Sequence, residues 1–229
     1  MNKYEIIQKI EQFAPIETAE SWDCVGFMVE TSKIEVSKVM LCLTPTEDIV
    51  CQAREQNCDM IISHHPLFYV PLSWRGIDIY SAHTNLDRAK GGTTDTLIKS
   101  LGYKVSEVQD FLRFVEFEQG ILLDDFSARI KTISQHARLV NNKNVKIFKR
   151  IAFCAGSGSE FIKKAEILGA DALVTGDLKF HIALDSNIVV YDIGHFESEI
   201  LILPVLESLV GKGVEVVFAE EKSPFNLII

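Results

Sequence analysis

The chain has no long apolar run, no paired-cysteine spacing and no excess of positive charge, and each absence closes off a class of function. Its longest apolar tract, residues 200–210, is broken by Pro204 and Glu207 and falls well short of the roughly 20 residues that span a bilayer. The opening Met1-Asn2-Lys3-Tyr4-Glu5-Ile6 carries charge among its apolar residues and lacks a signal-peptide core. No membrane partner and a cytoplasmic location are therefore expected. The five cysteines (Cys24, Cys42, Cys51, Cys58 and Cys154) are odd in number and show no C-x-x-C spacing, which points to reduced thiols. With 23 Lys and Arg against 32 Asp and Glu, the formal charge is −9, which argues against a nucleic-acid partner. No glycine-rich loop of P-loop spacing is present. What remains is ordinary for a globular protein: 229 residues, 47% hydrophobic and 24% charged, enough to bury a substantial core.

Residues 38–68 match residues 150–180 in kind without a gap. Val39-Met40-Leu41-Cys42 aligns with Ile151-Ala152-Phe153-Cys154, and Asp59-Met60-Ile61-Ile62-Ser63 with Asp171-Ala172-Leu173-Val174-Thr175, both at an offset of 112 residues. Each copy reads as strand, helix, strand, loop, strand. The apolar runs 39–43 and 151–155 have strand length. Ile49, Val50 and Ala53 in one copy, and Phe161, Ile162, Ala165 and Leu168 in the other, lie on one helical face. A strand–helix–strand crossover of this length implies parallel strands. An amphipathic helix is expected before each copy, with the stripe Ile6, Ile7, Ile10 and Phe13 in one and Phe126, Ile130, Ile133 and Ala137 in the other. The expectation is an α/β protein of two similar lobes, 1–112 and 113–229, arising by internal duplication. Mixed or parallel sheets would be flanked by helices, with a site in the cleft between lobes.

Three predicted strands release metal-ligand residue types at their carboxyl ends, the edge where open α/β sheets place ligands. Ser63-His64-His65-Pro66 follows the strand Met60-Ile61-Ile62, and Pro66 holds His65 extended. Neighbouring residues inside a strand point to opposite faces, so the two imidazoles can share a region only where the chain leaves the sheet. Alternatively, one histidine caps the strand and the other is solvated. His83-Thr84-Asn85-Leu86-Asp87 follows the strand at 77–82, where Asp and Asn can also simply shape a turn, and Asp95 is a candidate cap for the next helix. Gly194 lets the chain turn before His195, and Glu199 falls about one helical turn later on the same side. Pro204 should delay the following helix. Imidazole and carboxylate together suit zinc, iron or manganese, and a pair of such ions supports hydrolysis.

The second repeat has Gly176-Asp177 where the first has His64-His65, followed by Lys179 and His181. Asp177 and Lys179 are candidate substrate-binding groups, or they orient ligands, or they open a surface helix. His83 and His181 are candidate catalytic proton carriers because imidazole titrates near neutrality.

With these residues in view, the chain resembles the NIF-three-like family, whose members carry the name GTP cyclohydrolase I type 2 homologue. The resemblance rests on Ser21-Trp22-Asp23-Cys24-Val25-Gly26, the 63–66 segment, 82–87 with Gly91-Gly92, Gly176-Asp177-Leu178-Lys179, Gly194-His195 through Ser198-Glu199, and Pro224-Phe225. It implies two lobes around a dinuclear centre with two divalent metal ions per chain, ligated by His64, His65, Asp87, His195 and Glu199. It also implies a ring-shaped homohexamer. Longer members insert a further domain, for which this chain is too short. The family usually has Asn after Trp-Asp, and here Cys24 stands there.

The function expected is a dinuclear-metal-dependent hydrolase acting on a small-molecule substrate such as a nucleotide. The family name suggests metal-activated opening of the guanine imidazole ring of GTP with release of formate. Triphosphate recognition would then fall to scattered basic groups such as Lys179 or Arg88. The alternative is a non-catalytic protein that binds or delivers metal, or a regulatory scaffold.

Overall fold

Contacts divide the described residues into two α/β units, one of residues 1–92 and 202–222 and the other of residues 93–201 and 223–225. The computed structural model describes residues 1–225.

The first unit begins with α1 (Lys3–Phe13), whose N-cap Asn2 accepts from the Tyr4 N–H and which buries Ile6, Ile7 and Ile10. Then come β1 (Gly26–Val29), β2 (Lys38–Cys42), α2 (Glu47–Glu55), β3 (Met60–Ser63), β4 (Asp78–Ser81) and α3 (Thr84–Arg88). Thr46 caps α2, with Glu47 and Asp48 in its first turn and Arg54 in its last, the arrangement the helix dipole favours. The second unit holds α4 (Thr93–Ser100), β5 (Glu107–Gln109), β6 (Leu112–Leu122), α5 (Leu123–Ile130), β7 (Arg138–Val140) and β8 (Ile147–Ser157). It continues with α6 (Ile162–Ile167), β9 (Ala172–Gly176), α7 (Phe180–Leu184), β10 (Val189–Asp192) and α8 (His195–Glu199). The chain then returns to the first unit with α9 (Leu203–Val210) and β11 (Glu215–Phe218). Pro204 sits in the first turn of α9, where its missing N–H leaves no helical bond unmade.

The first sheet has the order β1-β4-β3-β2-β11, with β1 antiparallel to β4 and the other pairings parallel. Met40, Val50, Ala53, Ile61 and Ile79 form a core on one of its faces, and α1 lies against α9. The second sheet runs β5-β6-β8-β9-β10-β7. Its β8-β9-β10 centre is parallel, with antiparallel partners on both sides. Separate clusters built around Phe126, Phe153 and Tyr191, and around Phe114, Ile162 and Leu173, pack this unit. Both sheets are mixed and flanked by helices, as expected. The division falls earlier than residue 112 because α4, β5 and β6 belong to the second unit.

Local details differ from expectation where tertiary pairing intervenes. The strand expected at 151–155 runs the full length of β8 because it pairs along β6. The stripe Phe126, Ile130, Ile133 and Ala137 is helical only to Ile130, although Ile133 and Ala137 still pack on the same core. Asp95 lies inside the first turn of α4 and not at its cap. Its carboxylate takes Arg113 Nε at 2.6 Å.

The 112-residue offset persists in three dimensions. Val39 pairs with Met60 as Ile151 pairs with Ala172. One oxygen of Asp59 accepts the N–H groups of Ser37 and Lys38 at 2.7 and 3.1 Å. One oxygen of Asp171 accepts those of Lys149 and Arg150 at 2.6 and 2.9 Å. Each aspartate thus ties the backbone of one strand segment to the loop before the next strand, which explains why both segments carry it.

Burial works against the Asp59 carboxylate, but Lys33, the Ser37 N–H and hydroxyl and the Lys38 N–H outweigh it and hold its pKa down from 3.8 to about 2. A depressed folded-state pKa contributes stability that is present above the unfolded value and lost as pH falls through the folded one. At roughly 1.4 kcal/mol per pKa unit, Asp59→Ala should cost about 2 kcal/mol at pH 7. Urea titrations should show that the difference from wild type shrinks between pH 4 and pH 2 and is flat above pH 5.

Candidate functional site

In the first unit, β3 delivers His64 and His65. Ladder bonding continues past the strand, from the His65 N–H to the Leu43 carbonyl at 2.8 Å. The chain then bends, and the His65 carbonyl accepts the hydroxyls of Ser63 and Ser81 at 2.8 and 3.1 Å. That bend, ahead of Pro66, lets two adjacent imidazoles face one region, with ring centroids 5.0 Å apart. His83, released by β4, brings its ring within 5.1 Å of His64 and 5.5 Å of His65. One nitrogen from each of the three lies within 4.8 Å of the others.

His64 is fully buried, and its Nδ1 lies 2.9 Å from the Ala82 carbonyl. A carbonyl only accepts, so Nδ1 carries the proton and Nε2 keeps its lone pair. That nitrogen is 3.6 Å from Asp87 Oδ1. Two atoms each about 2.1 Å from one ion lie at most about 4.2 Å apart, so this pair fits a shared cation. Thr44 Oγ1 steadies His65 Nδ1 at 2.6 Å. Asn85 shapes the turn, its side-chain oxygen accepting the His83 N–H and its amide donating to the Ala14 carbonyl.

In the second unit, Gly194 adopts φ +89° and starts α8 at His195. His195 Nδ1 meets Asp177 Oδ2 at 2.7 Å, and Nε2 meets Glu199 Oε2 at 2.9 Å. Burial opposes protonation of the ring, but Glu199 and then Asp177 outweigh it and raise its pKa to about 9. An imidazole held between two carboxylates marks a place built for positive charge. A divalent ion suits the Nε2 side, while Asp177 keeps the other nitrogen protonated, the usual arrangement for a ligating histidine. Asp177 holds this position at φ 54°, a left-handed conformation uncommon outside glycine. A cavity of about 290 Å³ adjoins His195, lined by His136, Arg138, Asp177, His195, Glu197 and Phe225. Two of its walls are fixed by ion pairs, His136 to Glu197 at 2.9 Å and Arg138 to Asp192.

The expected site residues thus fall into local sets: His64, His65, His83 and Asp87 in one unit, and His195, Glu199 and Asp177 in the other. Asp177 binds His195, which favours the orienting role over the substrate-binding one. Lys179 is an exposed residue at the start of α7. His181 is exposed on α7 with its ring edge-on to Phe180 and stands outside the metal-competent groups of the described residues. Arg88 is engaged by Glu20 and the Thr18 carbonyl, so it is held by the fold instead of presented to a phosphate. Sequence reasoning missed two residues. Asp23, inside Ser21-Trp22-Asp23-Cys24-Val25-Gly26, meets His83 Nδ1 at 2.9 Å. Gly156, which no spacing singled out, has φ +67°, and a Cβ there would overlap Glu199 Oε1. Cys24 contributes its backbone N–H to Asp23 at 2.8 Å, a contact independent of its side chain.

Fold and residues together define an α/β protein carrying histidine–carboxylate groups that could hold a metal ion. The chain belongs to the Duf34/NIF3 (NGG1p interacting factor 3) family, whose model matches residues 1–224. It is 32% identical to the GTP cyclohydrolase 1 type 2 homolog of Clostridium perfringens, with all of both chains covered. It is 34% identical to the protein of the same name in Clostridium acetobutylicum, covering 83% of this chain and 82% of that one. Among solved structures, reduced HcgD from Methanocaldococcus jannaschii superposes with a TM-score of 0.84 at 26% identity, covering 96% of this chain and 98% of the other.

Proposed function

We propose that the protein is a hydrolase dependent on two divalent ions, zinc, iron or manganese, with His64, His65 and Asp87 of the first unit and His195 and Glu199 of the second as ligands. The observation that carries this reading is the held state of the histidines. His64 and His195 each have Nδ1 fixed by an oxygen acceptor, which turns Nε2 toward a carboxylate, Asp87 for His64 and Glu199 for His195, the pairing a shared ion would use. Bound divalent ions supply a nucleophilic hydroxide at neutral pH and polarise the bond under attack. Around them, Asp87 and the nearly buried Glu199 add negative charge that balances the cations. His83 Nε2 takes the proton of the attacking water and returns it to the leaving nitrogen. The cavity beside His195 has room for a small molecule.

The names of the relatives suggest GTP as substrate. One water places its oxygen on C8 of guanine and its two protons on N7 and N9; the C8–N9 bond breaks as the C8=N7 double bond gives way to C8=O, opening the imidazole ring to a formamide. A second water divides the formamide into formate and an amine. A cytoplasmic enzyme that assembles as a ring-shaped hexamer completes the reading. The five cysteines are free thiols, and among the described residues no helix is long and apolar enough to cross a membrane.

The test is a screen of GTP, other nucleotides and phosphoesters against metal-loaded wild type and His64→Ala. Formate release or another hydrolysis that needs metal and is lost in His64→Ala supports the enzyme. Tight metal with no turnover across the panel transfers the protein to metal storage, delivery or scaffolding.

A further inference from the structure

Asp23 has no place in the hydrolytic scheme above, yet its carboxylate is fully buried and satisfied on both oxygens. Oδ1 accepts the Cys24 N–H at 2.8 Å and meets His83 Nδ1 at 2.9 Å. Oδ2 accepts the Thr84 N–H at 3.0 Å and its hydroxyl at 2.5 Å. The Thr84 hydroxyl in turn accepts the Glu20 N–H at 2.9 Å, so the 20–24 turn and the start of α3 are laced together around this carboxylate. Burial alone would favour a neutral acid, but the Thr84 and His83 bonds outweigh it and lower its pKa. An ionised carboxylate can only accept. The proton in the Asp23–His83 contact therefore sits on His83 Nδ1.

The rest follows from the ring. His83 has its Trp22 edge contact at 6.3 Å on one side and the His64 and His65 rings on another. With Nδ1 committed to Asp23, Nε2 is the nitrogen left to meet the other two imidazoles. We propose that Asp23 is a positioning residue that fixes His83 as its Nδ1–H tautomer and turns Nε2, as an acceptor, toward His64 and His65. Asp177 acts on His195 in the same way, through a carboxylate on the same ring nitrogen. Two histidines on separate sheets thus share one device. The consequence for turnover rests on the hydrolytic reading of the site, whereas the tautomer itself does not.

The test is a long-range proton–nitrogen correlation spectrum of protein labelled with ¹⁵N-histidine, metal-free and zinc-loaded, at neutral pH. Only six histidines are present, so His83 is assigned by its loss in His83→Gln. Wild type should show His83 protonated at Nδ1. In Asp23→Asn the amide offers a donor to the same nitrogen, and the proton should move to Nε2. Metal per chain should stay near wild type, while the melting temperature should fall, because the amide NH2 now also faces the Cys24 N–H. Where a substrate has been found, kcat should fall on the order of 10⁴-fold, the scale seen when a catalytic histidine is held in the wrong tautomer. A wild-type spectrum with His83 protonated at Nε2 overturns the proposal even if the variant fails to fold. So does an unchanged Nδ1–H in Asp23→Asn. A wild type with no hydrolytic activity sinks the proposed function and leaves the tautomer result standing.

Discussion

Replacing Asp78 by alanine should destabilise the protein by about 3–5 kcal/mol, the range for breaking a buried ion pair from one side. Lys3 and Asp78 are both wholly buried. The ammonium lies 3.2 and 3.3 Å from the two carboxylate oxygens and donates to the Thr31 carbonyl at 2.7 Å. It also sits over the Phe27 ring at 5.2 Å. Asp78 accepts the Thr31 N–H as well, so one carboxylate joins α1, β4 and the turn after β1. Alanine would leave a buried positive charge that keeps, among the described residues, the Thr31 carbonyl and aromatic faces as partners, far too little to balance desolvation. The double change Lys3→Met with Asp78→Val removes both charges and should recover most of the loss, because apolar replacements of buried pairs are often neutral. Urea unfolding of the single and double variants separates the cases. A single variant within 1 kcal/mol of wild type would show that the pair is not structural.

Gly156→Ala should weaken metal binding on the order of 100-fold and lower stability besides. Gly156 lies near the end of β8 at φ +67°, which costs an alanine about 1–2 kcal/mol. The larger effect is steric. A Cβ there falls on Glu199 Oε1, 3.0 Å from Glu199 Cδ and 3.5 Å from His195 Nε2. Backbone N–H to Ser198 Oγ bonding at 2.8 Å pins the same segment to α8, so the strand cannot move aside freely. The glutamate must turn, and its contact with His195 goes with it. Changes to groups that merely orient ligands cost 10–100-fold in affinity, and here a ligand itself is displaced. Competition against a chelator of known zinc affinity measures this. Affinity within threefold of wild type would mean that Glu199 is not a ligand.

Much of this molecule is legible in the residues themselves, for identifiable reasons. The apolar runs at 39–43 and 60–62 mark strands because both faces of a parallel sheet are covered. Asp59 and Asp171 recur at the 112-residue offset because each accepts two consecutive backbone N–H groups of the preceding strand segment. His64, His65 and Asp87 are recognisable because β3 and β4 are adjacent and parallel, so their following loops emerge side by side. What escapes local reading depends on partners far apart in the chain. Asp23 meets His83 across 60 residues, and no spacing rule links a turn before β1 to the loop after β4. Gly156 matters through the volume of Glu199, 43 positions later, and only coordinates reveal that. The helix expected through Ala137 stops at Ile130 because apolar periodicity records burial, and Ile133 and Ala137 reach the core from turns. Asp177 is of a type that suits facing substrate, orienting a ligand or opening a surface helix, and its bond to His195 favours the second.

The account stands on the claim that these histidines and carboxylates hold metal. Bound metal per chain, measured by plasma mass spectrometry after reconstitution with zinc, iron or manganese and removal of excess ion, tests it most directly. Two ions per wild-type chain, falling in both His64→Ala and His195→Ala while the variants stay folded, is the result predicted. Fewer than one ion per wild-type chain, or a content unchanged by both substitutions, would contradict it.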